Sequence, residues 1–317
     1  MVRYLIVFIA LSGWLQIYAQ EKAFRNELLV LSENDNFDFG GTDRYYTNGF
    51  ILQYNRVGGE KQTSKAIKRI HHWEAGIKIY NPIRNNRSLQ VVTELMDRPY
   101  AGWSYLSYAN TQIRAKDNVL QTGLTAGMLG PASQAQQLQE GWHKFWGIYR
   151  LYGWNLQVNN EIGLNLHADY FPKLKEATDL RFRMHGILQS TIGNTFTHAA
   201  VGMLFQTGKL QPTQHSAWWG AALSNAKQDA SRVEHIFFAE PTLILQAYNA
   251  TVQGGLFRKD KGSFTTPIRG VVAQLRTGML LSGKRMSFRW YYTYRTREGA
   301  RMRKGESWGS IALSYRF

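Results

Sequence analysis

Strict alternation of apolar and polar side chains, in segments of roughly 9–13 residues, is the feature that most restricts this chain. From Glu161 to Tyr170, Ile162, Leu164, Leu166, Ala168 and Tyr170 share one face, and Glu161, Gly163, Asn165, His167 and Asp169 share the other. Trp73, Ala75, Ile77 and Ile79 alternate with Glu74, Gly76 and Lys78. Met286, Phe288, Trp290, Tyr292 and Tyr294 alternate with Ser287, Arg289, Tyr291, Thr293 and Arg295. A period of two is that of an extended strand, whose successive side chains point to opposite sides. Soluble β-sandwiches alternate as well, yet these strands are long, one face is rich in Tyr and Trp, and the chain ends in strand. Aromatics on one face and charge on the other suit a wall with lipid outside and a polar lumen inside. The 17 Tyr, 16 Phe and 10 Trp then agree with a mean hydropathy of only −0.36.

The N-terminus reads as a targeting segment. Arg3 precedes the apolar run Tyr4–Leu11, followed by Ser12, Gly13 and the small residue Ala19. This is the order of a secretory signal, residues 1–19, with cleavage expected after Ala19. Nothing after residue 20 approaches the ~18 consecutive apolar residues of a helical span. The mature chain, 20–317, is thus expected to be one outer-membrane β-barrel domain, with no linker or composition break inside it. The absence of cysteine excludes disulfide scaffolds, thiol nucleophiles and cysteine metal sites.

The alternation predicts a closed antiparallel barrel of twelve strands, at about 27–36, 45–56, 72–80, 101–113, 118–129, 157–170, 179–190, 195–206, 236–248, 269–281, 285–296 and 307–317. Trp218 to Leu223 could add a pair and raise the count to fourteen. The last seven residues place Ile311, Leu313, Tyr315 and Phe317 on one face, and an aromatic end of this kind resembles the assembly signal of bacterial outer-membrane barrels. An even strand number puts 37–44, 81–100, 130–156, 249–268 and 297–306 on the outward side, with short turns at 114–117 and 282–284 on the periplasmic side. Within 130–156, Ala135, Leu138, Trp142 and Phe145 recur at helical spacing and predict a short loop helix opening near Ser133.

Charge is uneven. The chain carries 38 Lys+Arg and 22 Asp+Glu, a net +16. Residues 256–317 hold 14 cations and 3 anions, 14 − 3 = +11 of that total. Arg297, Arg301, Arg303 and Lys304 fall in the last outward loop. They read either as a solvated rim or as a surface for anionic lipid head groups, since arginine pairs with phosphate oxygens. Nucleic acid is not an expected partner of an outer-membrane wall.

Four outward segments hold groups able to do chemistry. Glu33-Asn34-Asp35-Asn36 offers oxygen ligands for a hard cation, although Asn-Asp also starts turns. Thr42 to Gly49 enters the second strand, and alternation puts Thr47 with Gly49, Gln53 and Asn55, away from Phe50, Leu52 and Tyr54. Arg84-Asn85-Asn86-Arg87 precedes Asp97-Arg98-Pro99-Tyr100-Ala101-Gly102-Trp103. Gly130-Pro131 leads to His143 on the loop helix. His71 and His72 point to opposite faces of one strand and make a poor metal pair. Gly305 to Gly309 matches G-x-S-x-G, but a nucleophile elbow needs a following helix, and only the terminal strand follows.

These segments, with Gln136, Gln139, Gly153-Trp154-x-x-Gln157 and Tyr248-Asn249-Ala250-Thr251-x-Gln253-Gly254, resemble the outer-membrane lipid A 3′-O-deacylase family in order and spacing across essentially the whole mature chain. The resemblance implies a twelve-stranded barrel and calcium-dependent removal of the 3′ acyloxyacyl group of lipid A in lipopolysaccharide. Carried over by position, Asn34, Asp35, Thr47 and His143 match polar residues of the family's site. His143 would then be the base, Asp35 would help hold calcium, and Asn34 would orient the cation or the scissile carbonyl. Thr47 would bond substrate or water, and Arg297, Arg301, Arg303 and Lys304 would hold the phosphates. The chain departs from the family at three places. Arg87 stands for its lysine, Tyr149 for its glutamate and Leu151 for its tyrosine. Two other readings therefore stand beside the deacylase: a less specific outer-membrane phospholipase or esterase using His143, and a non-catalytic structural or complex-forming barrel.

Overall fold

The computed structural model describes residues 23–38, 44–59, 66–83, 86, 88–225 and 233–317, so the signal-like segment 1–19 and Arg87 lie outside the described residues. The strands are β1 (Asn26–Asn34), β2 (Tyr45–Val57), β3 (Lys68–Asn81), β4 (Ala101–Ile113), β5 (Val119–Leu129), β6 (Glu161–Phe171), β7 (Lys173–Glu176), β8 (Phe182–Gly193), β9 (Phe196–Lys209), β10 (Glu234–Asn249), β11 (Val271–Ser282), β12 (Met286–Arg295) and β13 (Glu306–Arg316). Each pairs antiparallel with its neighbours, β1 pairs β13, and β6 pairs β8. Twelve strands therefore close into a barrel, and the four-residue β7 adds only to the lower end of β8. Closure gives every described wall strand a neighbour on both sides, which a bilayer requires because it offers backbone groups no water.

Alternation assigns the faces as expected. Leu106 is 68% exposed, Ile162 72% and Leu166 61%, whereas Tyr105, Glu161 and Asn165 beside them are buried. Tyr54, Trp73 and Tyr108 form an aromatic row near the lower edge of the outer face, their rings 5.6 Å apart in each successive pair. His71 and His72 do point to opposite sides: His71 meets the outward Tyr108 hydroxyl, and His72 meets Asn55 and Thr111 within the lumen.

The lumen is packed at both ends. At the periplasmic end, Trp219, Ala221 and Leu223 fold inward against Val57, Ile70, Ile113, Val119 and Ile236. The segment Trp218–Leu223 is therefore not an extra strand pair, which settles the count at twelve rather than fourteen. It turns through a short 3-10 helix, Ala217–Trp219, started by the Ser216 hydroxyl. The reason is capping and burial: Glu234 accepts from Gln211 N, Ser216 Oγ and Ala217 N at 2.8–3.0 Å, pulling the segment across the mouth. At the outer end, Tyr46, Tyr80, Trp103, Tyr105 and Trp308 fill the bore. Between the plugs lies a polar cavity of 520 Å³ lined by groups including Glu27, Asn55, Glu74 and Arg276.

Among the described residues, three α-helices lie in the outward loops: α1 (Leu89–Leu95), α2 (Ala135–Trp146) and α3 (Ala250–Gln253). The loop helix thus starts two residues after Ser133, whose hydroxyl accepts the Ala135 N–H at 3.3 Å. Gly147 ends it in the left-handed conformation, φ 66°, with its N–H directed at the His143 and Lys144 carbonyls.

Candidate functional site

Cross-strand partners share a face, so the register can be read as rows around the wall. One outward row near the upper rim runs Gly309, Asn34, Asn48, Ile79, Gly102 across β13, β1, β2, β3 and β4. The two glycines at its ends make room for chain lying on the outside of the wall. A Cβ on Gly309 would come 2.5 Å from Phe37 Cβ, in the 3-10 turn Asp35–Asp38 that follows β1. A Cβ on Gly102 would come 2.1 Å from Ser133 Oγ and 2.3 Å from Ala135 Cβ, at the start of α2. Between these two seats, Asn34 and Asn48 remain half-buried.

The row depends on a β-bulge. Tyr46 faces Tyr80 and Asn48 faces Ile79, so Thr47 is the extra residue opposite none. Alternation alone put Thr47 in the lumenal row with Gly49. The bulge instead gives that lumenal place to Tyr46 and leaves Thr47 fully buried, its hydroxyl 3.5 Å from the Tyr45 carbonyl.

Helix α2 rests on the outer face through Ala135, Gln139 and His143, all buried. Gln139 and Asn81, at the outward end of β3, exchange two hydrogen bonds of 3.1 Å. Trp154 Nε1 donates to Gln139 at 3.2 Å, and its ring packs 4.9 Å from Tyr100. Around these contacts Ile79, Val92, Met96, Tyr100, Ala135, Leu151 and Trp154 form an apolar cluster. Leu151, where the resemblance implied a tyrosine, is 5% exposed and completes this cluster rather than lining open space. Of the stripe Ala135, Leu138, Trp142 and Phe145 that predicted the helix, Ala135 is buried, but the three large members are exposed side chains, and the buried seam is the more polar one.

One turn after Gln139, His143 meets the Tyr149 carbonyl with Nδ1 at 2.8 Å. A carbonyl only accepts, so Nδ1 carries the proton and Nε2 is the acceptor nitrogen. The Tyr149 ring lies edge-on to the imidazole at 5.2 Å. Tyr149, where the resemblance implied a glutamate, thus holds the His143 ring through its backbone carbonyl. Asp35, 3% exposed, accepts the Arg44 N–H at 2.7 Å.

The last outward loop reaches over to the same rim. Arg303 N and Lys304 N approach the Tyr45 hydroxyl at 3.0 and 3.4 Å, and that hydroxyl donates to Asp97 at 2.6 Å. The side chains of Arg301, Arg303 and Lys304 are exposed. Arg301 lies over Phe264, and Arg297 turns inward to the Met302 carbonyl at 3.3 Å. Beneath the loop, fully buried Arg98 pairs with Glu298, donates to Thr251 at 2.7 Å and lies 4.3 Å over the Tyr80 ring. Arg295 reaches Glu298 and Glu306 at 3.5 and 3.3 Å. Burial raises the cost of ionising Glu298, but the charges of Arg98 and Arg295 outweigh it and hold the carboxyl below its ordinary range. The Asp97-Arg98 motif is therefore a fastener for the rim. Sequence reasoning missed Asn48, Asn81, Glu298 and Glu306. Asn48 lies within the Thr42 to Gly49 segment and the two acids stand inside an arginine-rich stretch, whereas nothing marks Asn81.

Among the described residues, no three His, Asp or Glu side chains converge as a metal cluster. Asp35 and Asn34 supply a carboxylate and an amide, hard oxygen donors of the kind calcium takes, with one carboxylate between them.

A profile of the family described as outer membrane protein LpxR matches residues 4–317. The chain belongs to the LpxR family. The structure of LpxR from Salmonella typhimurium superposes with a TM-score of 0.74 at 17% identity, covering 92% of this chain and 100% of that one. That likeness speaks to the fold. The β domain of the Bordetella autotransporter BrkA has a TM-score of 0.45 at 10% identity, covering 93% of this chain and 100% of that one. Comparison with functionally curated proteins finds no match. As an LpxR-family barrel, the chain is a protein of the bacterial outer membrane.

Proposed function

We propose that this protein hydrolyses the 3′-linked acyloxyacyl ester of lipid A, with His143 as general base. The observation that supports this best is where and how the imidazole is held. It sits in a helix mounted on the outer face of the wall, on the far side of the wall from the lumen, with its proton fixed on Nδ1 by the Tyr149 carbonyl. Nε2 then accepts a proton from water as the oxygen attacks the ester carbon, and returns it to the sugar 3′-oxygen as the acyl C–O bond breaks. Asn34 and Asn48 are the half-buried amides on the wall between the two seats, suited to orienting the carbonyl. Calcium, held by Asp35 with Asn34 and completed by carbonyls or water, would supply Lewis acidity at that carbonyl. Buried Thr47 shapes the floor through the bulge. Arg301, Arg303 and Lys304 would offer the substrate phosphates exposed cations, with Arg297 behind them, and Arg87, at the position of the family's active-site lysine, would bring its charge to the reacting ester. A bore packed at both ends argues against a diffusion channel.

The test is the mass of lipid A from a host expressing the protein. Loss of one acyloxyacyl unit, abolished by His143→Ala, is the expected result. Fatty acid released from phospholipid alone would instead favour a general esterase. An unchanged lipid pool with folded protein and calcium present would leave a structural barrel.

A further inference from the structure

We infer that the exposed flank of α2 is a lipid-insertion surface, in which Leu138, Trp142 and Phe145 enter the outer leaflet beside the wall. At ~100° per residue the helix divides into three strips. Ala135, Gln139 and His143 form the buried seam, Gln137, Glu140 and Lys144 a polar exposed strip, and Leu138, Trp142 and Phe145 an apolar exposed strip. These three are 49%, 56% and 77% exposed, large values for side chains of this size. Trp146 extends the patch, its ring 5.7 Å from Trp142 and 5.1 Å from Phe145.

What covers this strip follows from its continuity with the wall. On β11 the exposed apolar face runs from Val271 to Leu281, about 33 Å along the strand at ~3.3 Å per residue. Tilted by ~45°, that gives about the 25 Å height of a lipid belt. On β2 the outward apolar face runs only from Phe50 to Tyr54, with Phe50 and Leu52 exposed and Tyr54 half-buried, about 13 Å along the strand. The missing height lies directly above the Phe50 row, where Gly102 seats α2, and a helix with its side chains is ~10–12 Å across. The apolar strip of α2 thus completes the belt where the wall's own face is covered. Trp and Phe in such a strip, with Lys144 on the water side, are the residues of an interfacial helix. The occupant is bilayer lipid.

This inference stands without the hydrolytic reading, and its first test needs no activity. The chain has no cysteine, so Phe145→Cys and Glu140→Cys each take one nitrobenzoxadiazole probe. In phosphatidylcholine vesicles carrying nitroxide-labelled lipid, the probe at 145 should be quenched by the lipid and blue-shifted, and the probe at 140 quenched by aqueous iodide. Equal access of iodide to both would overturn the proposal. So would shielding at 145 that disappears on diluting the protein in lipid, because a second copy would then be the cover. A second arm uses Leu138→Ser/Trp142→Ser/Phe145→Ser. Conversion of lipid A in vesicles should fall by at least about tenfold while conversion in detergent micelles is kept. Equal losses in both would mean a packing role and count against insertion. No hydrolysis in either setting would count against the catalytic reading alone, with the probe still deciding the surface.

Discussion

The upper outer faces of β2–β4 and of β10–β12 are built by the same alternation, yet one is covered and the other is bare. On β10 and β11, Leu243, Leu245, Val271 and Leu275 stand exposed to the bilayer to the top of the wall. On β3 and β4 the equivalent height carries Ile79, 2% exposed, and Gly102, with α2 and its loop cluster laid over them. The bare half has apolar side chains that serve only the lipid. The covered half replaces them with a glycine, two asparagines and a histidine-bearing helix. Chemistry on a lipid ester requires polar groups at bilayer height, and these survive there only where protein covers them.

That contrast can be broken experimentally. The largest effect is expected for His143→Ala in the covered half, a fall of about 10²–10⁴-fold in lipid A conversion. Its heat-modifiable migration should be unchanged. Asp35→Asn should leave the fold intact and raise the calcium needed for half-maximal conversion, and chelation should silence the wild type. Arg98→Met removes one of the two cations that hold Glu298, leaving Arg295 at 3.5 Å, and should cost about 1–3 kcal/mol, read as a lower temperature of heat modification.

Because Glu298 is held below 4.5, its contribution is complete above that pH and is lost as pH falls through the depressed value. Wild-type stability should therefore drop on acidification below 4.5, and the drop should shrink in Arg98→Met. Gly102→Leu should displace α2 and cost about 1–3 kcal/mol together with activity. Ala273→Leu on the bare half should stay within about 0.5 kcal/mol, since that position already faces lipid. Equal effects of these last two would erase the distinction between the halves.

Much of the wall was legible in the chain. The faces of β3, β6 and β12 follow from a period of two, because lipid and lumen impose opposite chemistry on neighbouring residues. Two departures were not legible. The Thr47 bulge adds a residue that no pattern of polarity marks. Trp218–Leu223 reads as strand by composition, but Glu234 gathers its backbone donors and folds it into the mouth. The site was half legible. His143 and Asn34 lie in recognisable segments, whereas Asn48, Asn81 and the Tyr149 carbonyl matter only through partners far off in sequence.

The sequence by itself determined a closed antiparallel wall of twelve or fourteen strands, because hydrophobic periodicity is a local property that each strand carries alone; the tertiary structure decided for twelve. The sequence also determined that a helix would form between β5 and β6. Only the tertiary structure decided which side of that helix is buried. The apolar stripe turned outward because the helix sits against a wall whose surroundings are lipid rather than water. In that solvent the polar residues Gln139 and His143 find their hydrogen bonds only against protein.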